Sequence, residues 1–448
     1  MKRRLTAKEN VCVASMLFGL FFGAGNLIFP VSMGQLAGHN VWAAVVGFLI
    51  TGVGLPLLGV AALGISRCDG LFPLSRKVGK GYGLFFTCLL YLTIGPFFAI
   101  PRCATVSFTV GVEQLLPQGG HRLILFGFSV VFFAIALGFS LYPGQILTWV
   151  GKVLTPFFLV FLGILVGVAL LHPAASIASV PPADSYTAHP FLTGFLAGYD
   201  TMDTLAGLAF GIIVVRVIRE LGIMEPGDIA ANTVRAGVFS SLIMAAIYLA
   251  ITVVGTQSRG ALEAADNGGV ALAQISHLYL GRLGAVVLAV TVALACLKTS
   301  VGLITSCAET FASLFPKGFS YRQWAVAFSL LSLLFANLGL DAILAYSAPV
   351  LMFLYPLAIV LILLALLERL HGGGTAVYVC TMGTTLLAAL FDLVQHLPLP
   401  MLEGLHLRAF VLAVQENVPL ASLGLLWIVF AAAGFVLGLA VRAVSKKQ

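Results

Sequence analysis

Charge is what this sequence most lacks. Only 9% of its 448 residues are Asp, Glu, Lys or Arg, against roughly a quarter in ordinary soluble domains. Some 60% are hydrophobic, and no soluble fold of this size hides that much apolar surface. The 7 cysteines include no CxxC pair, so neither a disulfide framework nor a thiolate metal site is indicated. They read as small hydrophobes. The 8 histidines fall at the ends of apolar runs or in loops, with no HxxxH pair. A phosphate-cradling P-loop is missing too, which argues against ATP-driven pumping. No paired acid and base or Ser/His set marks a catalytic centre. Asp200 and Asp203 lie three apart on one segment, whereas a catalytic dyad joins different elements. No enzyme and no cofactor is expected.

Long hydrophobic runs are abundant. A bilayer-crossing helix needs about 20 apolar residues, and about twelve such runs fit: 11–38, 41–66, 82–116, 122–140, 146–171, 190–220, 232–256, 282–314, 323–339, 341–367, 375–396 and 417–441. The expected class is an all-α membrane protein, with 172–190 and 257–281 as external loops. Lys2, Arg3, Arg4 and Lys8 precede the first run as in a signal peptide. That run shows no small-residue cleavage site, and many others follow, so it reads as an uncleaved helix.

Positive charge sets the orientation. With the N-terminus inside, 18 of the 24 Lys and Arg fall in inner segments (2–8, 67–80, 152, 216–235, 317–322, 369 and 442–447). Arg122, Arg259, Arg282 and Arg408 fall outside, and Arg102 and Lys298 fall within spans. Both termini are therefore expected in the cytoplasm. The formal net charge of +7 follows from topology and calls for no nucleic acid. No obligatory protein partner is evident.

Two spans carry interruptions near their middles. The first contains Phe22-Gly-Ala-Gly-Asn26 and then Pro30; the sixth contains Gly198-Tyr-Asp-Thr-Met-Asp203 and then Gly207. Glycine weakens a helix, and Asn and Asp offer the backbone other hydrogen bonds. Unwound backbone at membrane depth persists only where protein or a watery cavity satisfies it. Spans 1 and 6 open successive groups of five, and paired breaks in matching helices point to an inverted-repeat transporter. The two repeats would be 11–171 and 190–367, with 375–441 added. Half-helix N-termini would receive a carboxylate, and the C-terminal ends would present carbonyls to a cation. Glycines for close helix packing are the alternative, although Gly23 and Gly25 are two apart rather than four. In span eight, the Thr299 and Ser300 hydroxyls would complete a shell of oxygen ligands for a hard cation, or else bond their own helix carbonyls.

The segments Phe22-Gly-Ala-Gly-Asn-Leu-Ile-Phe-Pro30, Tyr91-Leu-Thr-Ile-Gly-Pro-Phe-Phe-Ala-Ile-Pro-Arg102, Ala104-Thr-Val-Ser-Phe108, Ser140-Leu-Tyr-Pro-Gly144, Thr201-Met-Asp-Thr-Leu205 and Leu294-Ala-Cys-Leu297 together resemble the bacterial branched-chain amino acid transport proteins (BrnQ type). The likeness runs from the first span through at least the tenth. It implies a leucine-transporter-like fold with a five-plus-five inverted repeat. It also implies a cytoplasmic-membrane symporter that takes up leucine, isoleucine and valine with Na⁺ or H⁺. By the same resemblance, the substrate carboxylate would meet the N–H groups of Ala24 and Gly25, beside Gly23 and Asn26. Tyr199 and Thr201 would meet the amino end. Gly19 and Phe22 carbonyls, Cys296, Thr299 and Ser300 would hold the cation. No metal beyond Na⁺ is implied.

Five residues depart from the family pattern: Val31, Cys103, Thr109, Asp200 and Lys298. A lysine in mid-span costs roughly 2.5–3.5 kcal/mol on insertion scales, which makes it a functional candidate. Lys298 is expected to pair with Asp200. In a stronger form its ammonium occupies part of the cation site, giving a sodium-independent exchanger or proton-coupled transporter. A lysine reaching a solvated vestibule is the alternative. Arg102 is expected to stabilise a gate or pair with Asp203, or to anchor its helix at the interface. Asp203 would otherwise satisfy N–H groups at the start of its half-helix. Glu309 and Asp341 read as gate or interface charges. A channel and a non-transporting sensor are the remaining rivals.

Overall fold

The structure is a computed structural model that describes residues 4–113, 116, 121–145, 147–397, 399–404, 406–418 and 420–445. Lys2, Arg3, Lys446 and Lys447, counted above for orientation, lie outside the described residues. So do positions 114, 115, 146 and 419 of the expected spans. Among the described residues all regular structure is helical.

The first helix, Ala7–Phe21, opens on a capping box in which Thr6 and Glu9 exchange hydrogen bonds, satisfying N–H groups that the first turn leaves free. It stops at Phe22, and Gly23 is extended (φ −118°, ψ −154°). A second half-helix, Ala24–Ala37, follows. The sixth span is divided in the same manner. Pro190–Ala197 passes into a 3-10 turn, Gly198–Thr201; Met202 is left-handed (φ 63°); Asp203–Glu220 completes it. The third span is also bent at Gly95 and Pro96, where proline breaks the helical bonding, with non-helical backbone at Gly95 (φ −88°, ψ −122°) and Phe98 (φ −130°, ψ −61°).

Among the described residues, ten helical stretches are long and apolar enough to cross a membrane. Two expected spans are shorter. Tyr321–Ala336 has 16 residues, about 24 Å of helix, and the first span is cut into its two halves. The segment 257–281, expected as a loop, contains a helix instead. Asn267 caps it by accepting from Val270 N (3.0 Å), and it runs from Gly268 to a left-handed bend at Gly281 (φ 54°) before continuing to Leu314. The last helix begins at Leu426 rather than 417, after a separate helix, Arg408–Asn417.

Small residues let the helices approach. A Cβ added to Gly47 would strike the Phe191 carbonyl, and one added to Gly194 would strike the Ala44 carbonyl. Such contacts drive association where lipid removes the hydrophobic incentive. The outer surface is apolar, with Leu123 86% and Leu283 76% exposed, as lipid-facing positions require. Thr375–Gln395 packs against the last helix and Leu340–Leu366, to one side of the broken helices.

Candidate functional site

The two breaks face each other. Asn26 joins them: its Oδ1 accepts from Gly23 N (2.7 Å), closing the first break, while its Nδ2 donates to Asp203 Oδ2 (2.5 Å) in the sixth span. Tyr248 OH also donates to Asp203 Oδ2 (2.6 Å) and accepts from Asn26. A buried amide and a buried carboxylate are thus held by one network, as the low dielectric demands.

A small cavity lies between the breaks. Its polar wall carries Gly23, Ala24, Gly25, Asn26, Arg102, Thr201, Asp203 and Thr299. Its apolar wall includes Leu20, Phe21, Ile94, Ala206, Phe210 and Leu303. Ala24 and Gly25 open a half-helix, whose first N–H groups lack intrahelical acceptors and carry the positive end of the dipole.

Each break has carbonyls at its C-terminal end, and a cation from another helix meets each set. Lys298 Nζ, fully buried, donates to Phe22 O (2.6 Å) and Gly19 O (3.2 Å). The rings of Phe158, Phe18 and Phe22 surround it, at 4.3, 5.4 and 5.6 Å to their centroids, a cation–π setting. Thr299 Oγ1 donates to Leu20 O (3.2 Å). In the sixth span, Arg102 Nη1 donates to Asp200 O (2.6 Å) and Nη2 to Thr201 O (3.2 Å). The guanidinium rests over Phe29, 5.3 Å from its centroid.

Two expectations are corrected here. Lys298 does not pair with Asp200, and Arg102 does not pair with the Asp203 carboxylate; among the described residues neither ion pair forms. Each cation goes to the acceptors nearest it, the orphan carbonyls of a half-helix end, where the dipole is negative. Asp200 contributes its carbonyl rather than its carboxylate.

The other expected residues are distributed as follows. Gly23, Ala24, Gly25, Asn26 and Thr201 line the cavity. Tyr199 is away from it, stacked on Tyr355 (centroids 4.0 Å apart). Gly19, Phe22 and Thr299 meet around Lys298. Cys296 and Ser300, one turn apart, face Cys103. Glu309 pairs with Arg216, and Asp341 accepts from Asn267 (3.4 Å). Sequence reading missed Tyr248. It stands in an unbroken helix, Pro226–Ser258, where no local signal distinguishes it.

The family model described as branched-chain amino acid transport protein matches residues 6–445. The chain belongs to this family. It is 51% identical to the branched-chain amino acid permease BrnQ of Lactobacillus delbrueckii subsp. lactis over 100% of both chains. It is 40% identical to the permease of the same name in Bacillus subtilis, over 98% of each. Identity is 42% to the branched-chain amino acid transport system 2 carrier protein of Pseudomonas aeruginosa, over 92% of this chain and 91% of that one. These family members are named permeases and carriers, not enzymes. Among solved structures, the nucleobase-cation-symport-1 transporter Mhp1, closed on bromovinylhydantoin, matches with TM-score 0.61 at 17% identity, over 98% of this chain and 93% of that one. MhsT in complex with L-phenylalanine matches with TM-score 0.56 at 15% identity, over 99% and 100%. The family member described here therefore has the fold of these transporters and is an amino acid transporter embedded in a membrane.

Proposed function

We propose that the protein takes up leucine, isoleucine and valine across the cytoplasmic membrane by alternating access, in symport with a cation, with both termini in the cytoplasm. The observation that carries this reading is the cavity between the broken helices. Its lining includes the start of the half-helix Ala24–Ala37, whose N–H groups suit a carboxylate, and Leu20, Phe21, Ile94, Phe210 and Leu303, which suit a branched aliphatic side chain. In this reading residues 11–171 and 190–367 are the inverted repeats, about twelve helices cross the bilayer, and 375–441 stands outside the repeats.

The coupling ion has two readings. Sodium would be held by the Gly19 and Phe22 carbonyls with Thr299, Cys296 and Ser300. The position of Lys298 favours the other reading, in which its ammonium takes the place of sodium and transport runs on protons or exchange. Its Nζ bonds the same two carbonyls, leaving a free cation in competition with a tethered one. The test is uptake of each radiolabelled amino acid by proteoliposomes under separate Na⁺ and H⁺ gradients. Saturable leucine uptake, competed by isoleucine and valine and unchanged when choline replaces Na⁺, supports both parts. No saturable uptake overturns the function. A tenfold loss in choline overturns the lysine reading alone.

A further inference from the structure

Asp203 places a buried carboxylate beside the first break. It is 2% exposed, it lines the cavity, its Oδ2 accepts from Asn26 and Tyr248, and the Thr201 side chain lies within hydrogen-bond reach of the carboxylate. Among the described residues no basic side chain forms an ion pair with it. A buried carboxylate left so is costly, and a ligand bearing the opposite charge relieves that cost.

Arg102 stands elsewhere on the same wall. It is 3% exposed, Nη1 and Nη2 serve the sixth-span carbonyls, and Nε has no partner. Its Nη2 lies over Gly25, where an added Cβ would come within 2.9 Å of it. The first N–H groups of Ala24–Ala37 and this guanidinium therefore make one end of the cavity positive. Asp203 supplies a negative group without touching Arg102.

We propose that Asp203 binds the α-ammonium of the substrate through Oδ1 while Arg102 and the Ala24–Gly25 N–H groups face its carboxylate, making the site selective for zwitterions. This rests on reading the cavity as an amino acid site and adds the residue that recognises the amine. The class recognised is an aliphatic α-amino acid. Its desamino and 2-oxo counterparts, which keep the carboxylate and the branched chain, are rejected because they leave Asp203 uncompensated. A purely structural Asp203, placed at the start of Asp203–Glu220 where a carboxylate favours the helix dipole, would not discriminate in that way.

The experiment is competition by leucine and by 4-methylpentanoate, its desamino analogue, against radiolabelled leucine bound to purified protein. Wild type and Asp203→Asn are compared. Asparagine still accepts from Asn26 and Tyr248 but carries no charge. Removing one partner of a buried charge pair weakens binding by about 30-fold or more. Leucine affinity should fall by that factor while 4-methylpentanoate holds or gains affinity, so the preference for leucine contracts in Asp203→Asn. Equal weakening of both ligands, or unchanged leucine affinity, overturns the proposal. Should Asp203→Asn elute as an aggregate, Asp203→Ser is read by the same criterion. If wild type binds no leucine, the amino acid reading itself falls, and the proposal with it.

Discussion

On the reading in which the Lys298 ammonium stands in for sodium, replacing Lys298 by alanine should make leucine uptake sodium-dependent. The ammonium makes two hydrogen bonds, to Phe22 O at 2.6 Å and Gly19 O at 3.2 Å. Once it is removed, Phe22 O loses this donor and Gly19 O keeps only the Thr299 hydroxyl, at 3.5 Å. An unsatisfied buried carbonyl costs about 1–3 kcal/mol, so the closed form of the first break loses about 2 kcal/mol. Two kilocalories correspond to a factor of roughly 30 in population, and uptake in choline medium should fall about that far. Sodium would then find Gly19 O, Phe22 O and the Thr299 hydroxyl around the space left, an oxygen set suited to a hard cation. Deleting the buried ammonium also removes an insertion cost of about 2.5–3.5 kcal/mol, so the variant should still fold. The assay is leucine uptake in proteoliposomes with Na⁺ or choline outside, for wild type and Lys298→Ala. If the variant keeps wild-type uptake in choline, or Na⁺ fails to raise it, the reasoning is refuted.

Substitutions at three further positions have expected outcomes. Asn26→Ala loses the contacts to Gly23, Asp203 and Tyr248, about 1 kcal/mol each, and should lower the melting temperature in detergent and abolish leucine uptake; an unchanged melting curve contradicts the network. Arg102→Met strips the donors from the Asp200 and Thr201 carbonyls, and uptake should drop at least tenfold, with Arg102→Lys recovering only part because a single ammonium does not reproduce the guanidinium fork. Gly34→Val would drive a side chain into the Thr252 backbone carbonyl, an overpacking cost of about 1–3 kcal/mol or more, seen as reduced monodisperse yield on size exclusion.

Much of the site was legible because helix breaks write themselves into sequence. Glycines at 23 and 25 with Asn26, and the Gly198–Asp203 run, announce segments whose hydrogen bonds must go elsewhere, and the Gly95-Pro96 bend is equally plain. Where those bonds go is set by tertiary geometry. Lys298 and Asp200 looked complementary as charges, but periodicity does not tell which neighbouring helix a residue faces. The half-helix end at Gly19–Phe22 offered acceptors with no sequence signature. Tyr248 was hidden for the same reason. The helix beginning at Gly268 was missed because Asp266-Asn267-Gly268-Gly269 reads as a turn, whereas Asn267 is its N-cap.

Lys298 on the eighth span serves the first break, and Arg102 on the third serves the sixth. In the five-plus-five repeat proposed above, the third and eighth helices would correspond, and the two basic residues would occupy related places. Each supplies donors to a half-helix end that a plain helix would satisfy internally. This gives Arg102 and Lys298 a common physical role that neither residue shows alone.

The central claim is that leucine occupies the cavity between the two broken helices. Equilibrium binding of radiolabelled leucine to purified wild type and Ala206→Phe tests it most directly, since Ala206 lines the apolar wall and is buried. Saturable binding to wild type, with none to a monodisperse Ala206→Phe, is the expected result. Undiminished leucine binding by Ala206→Phe would contradict it.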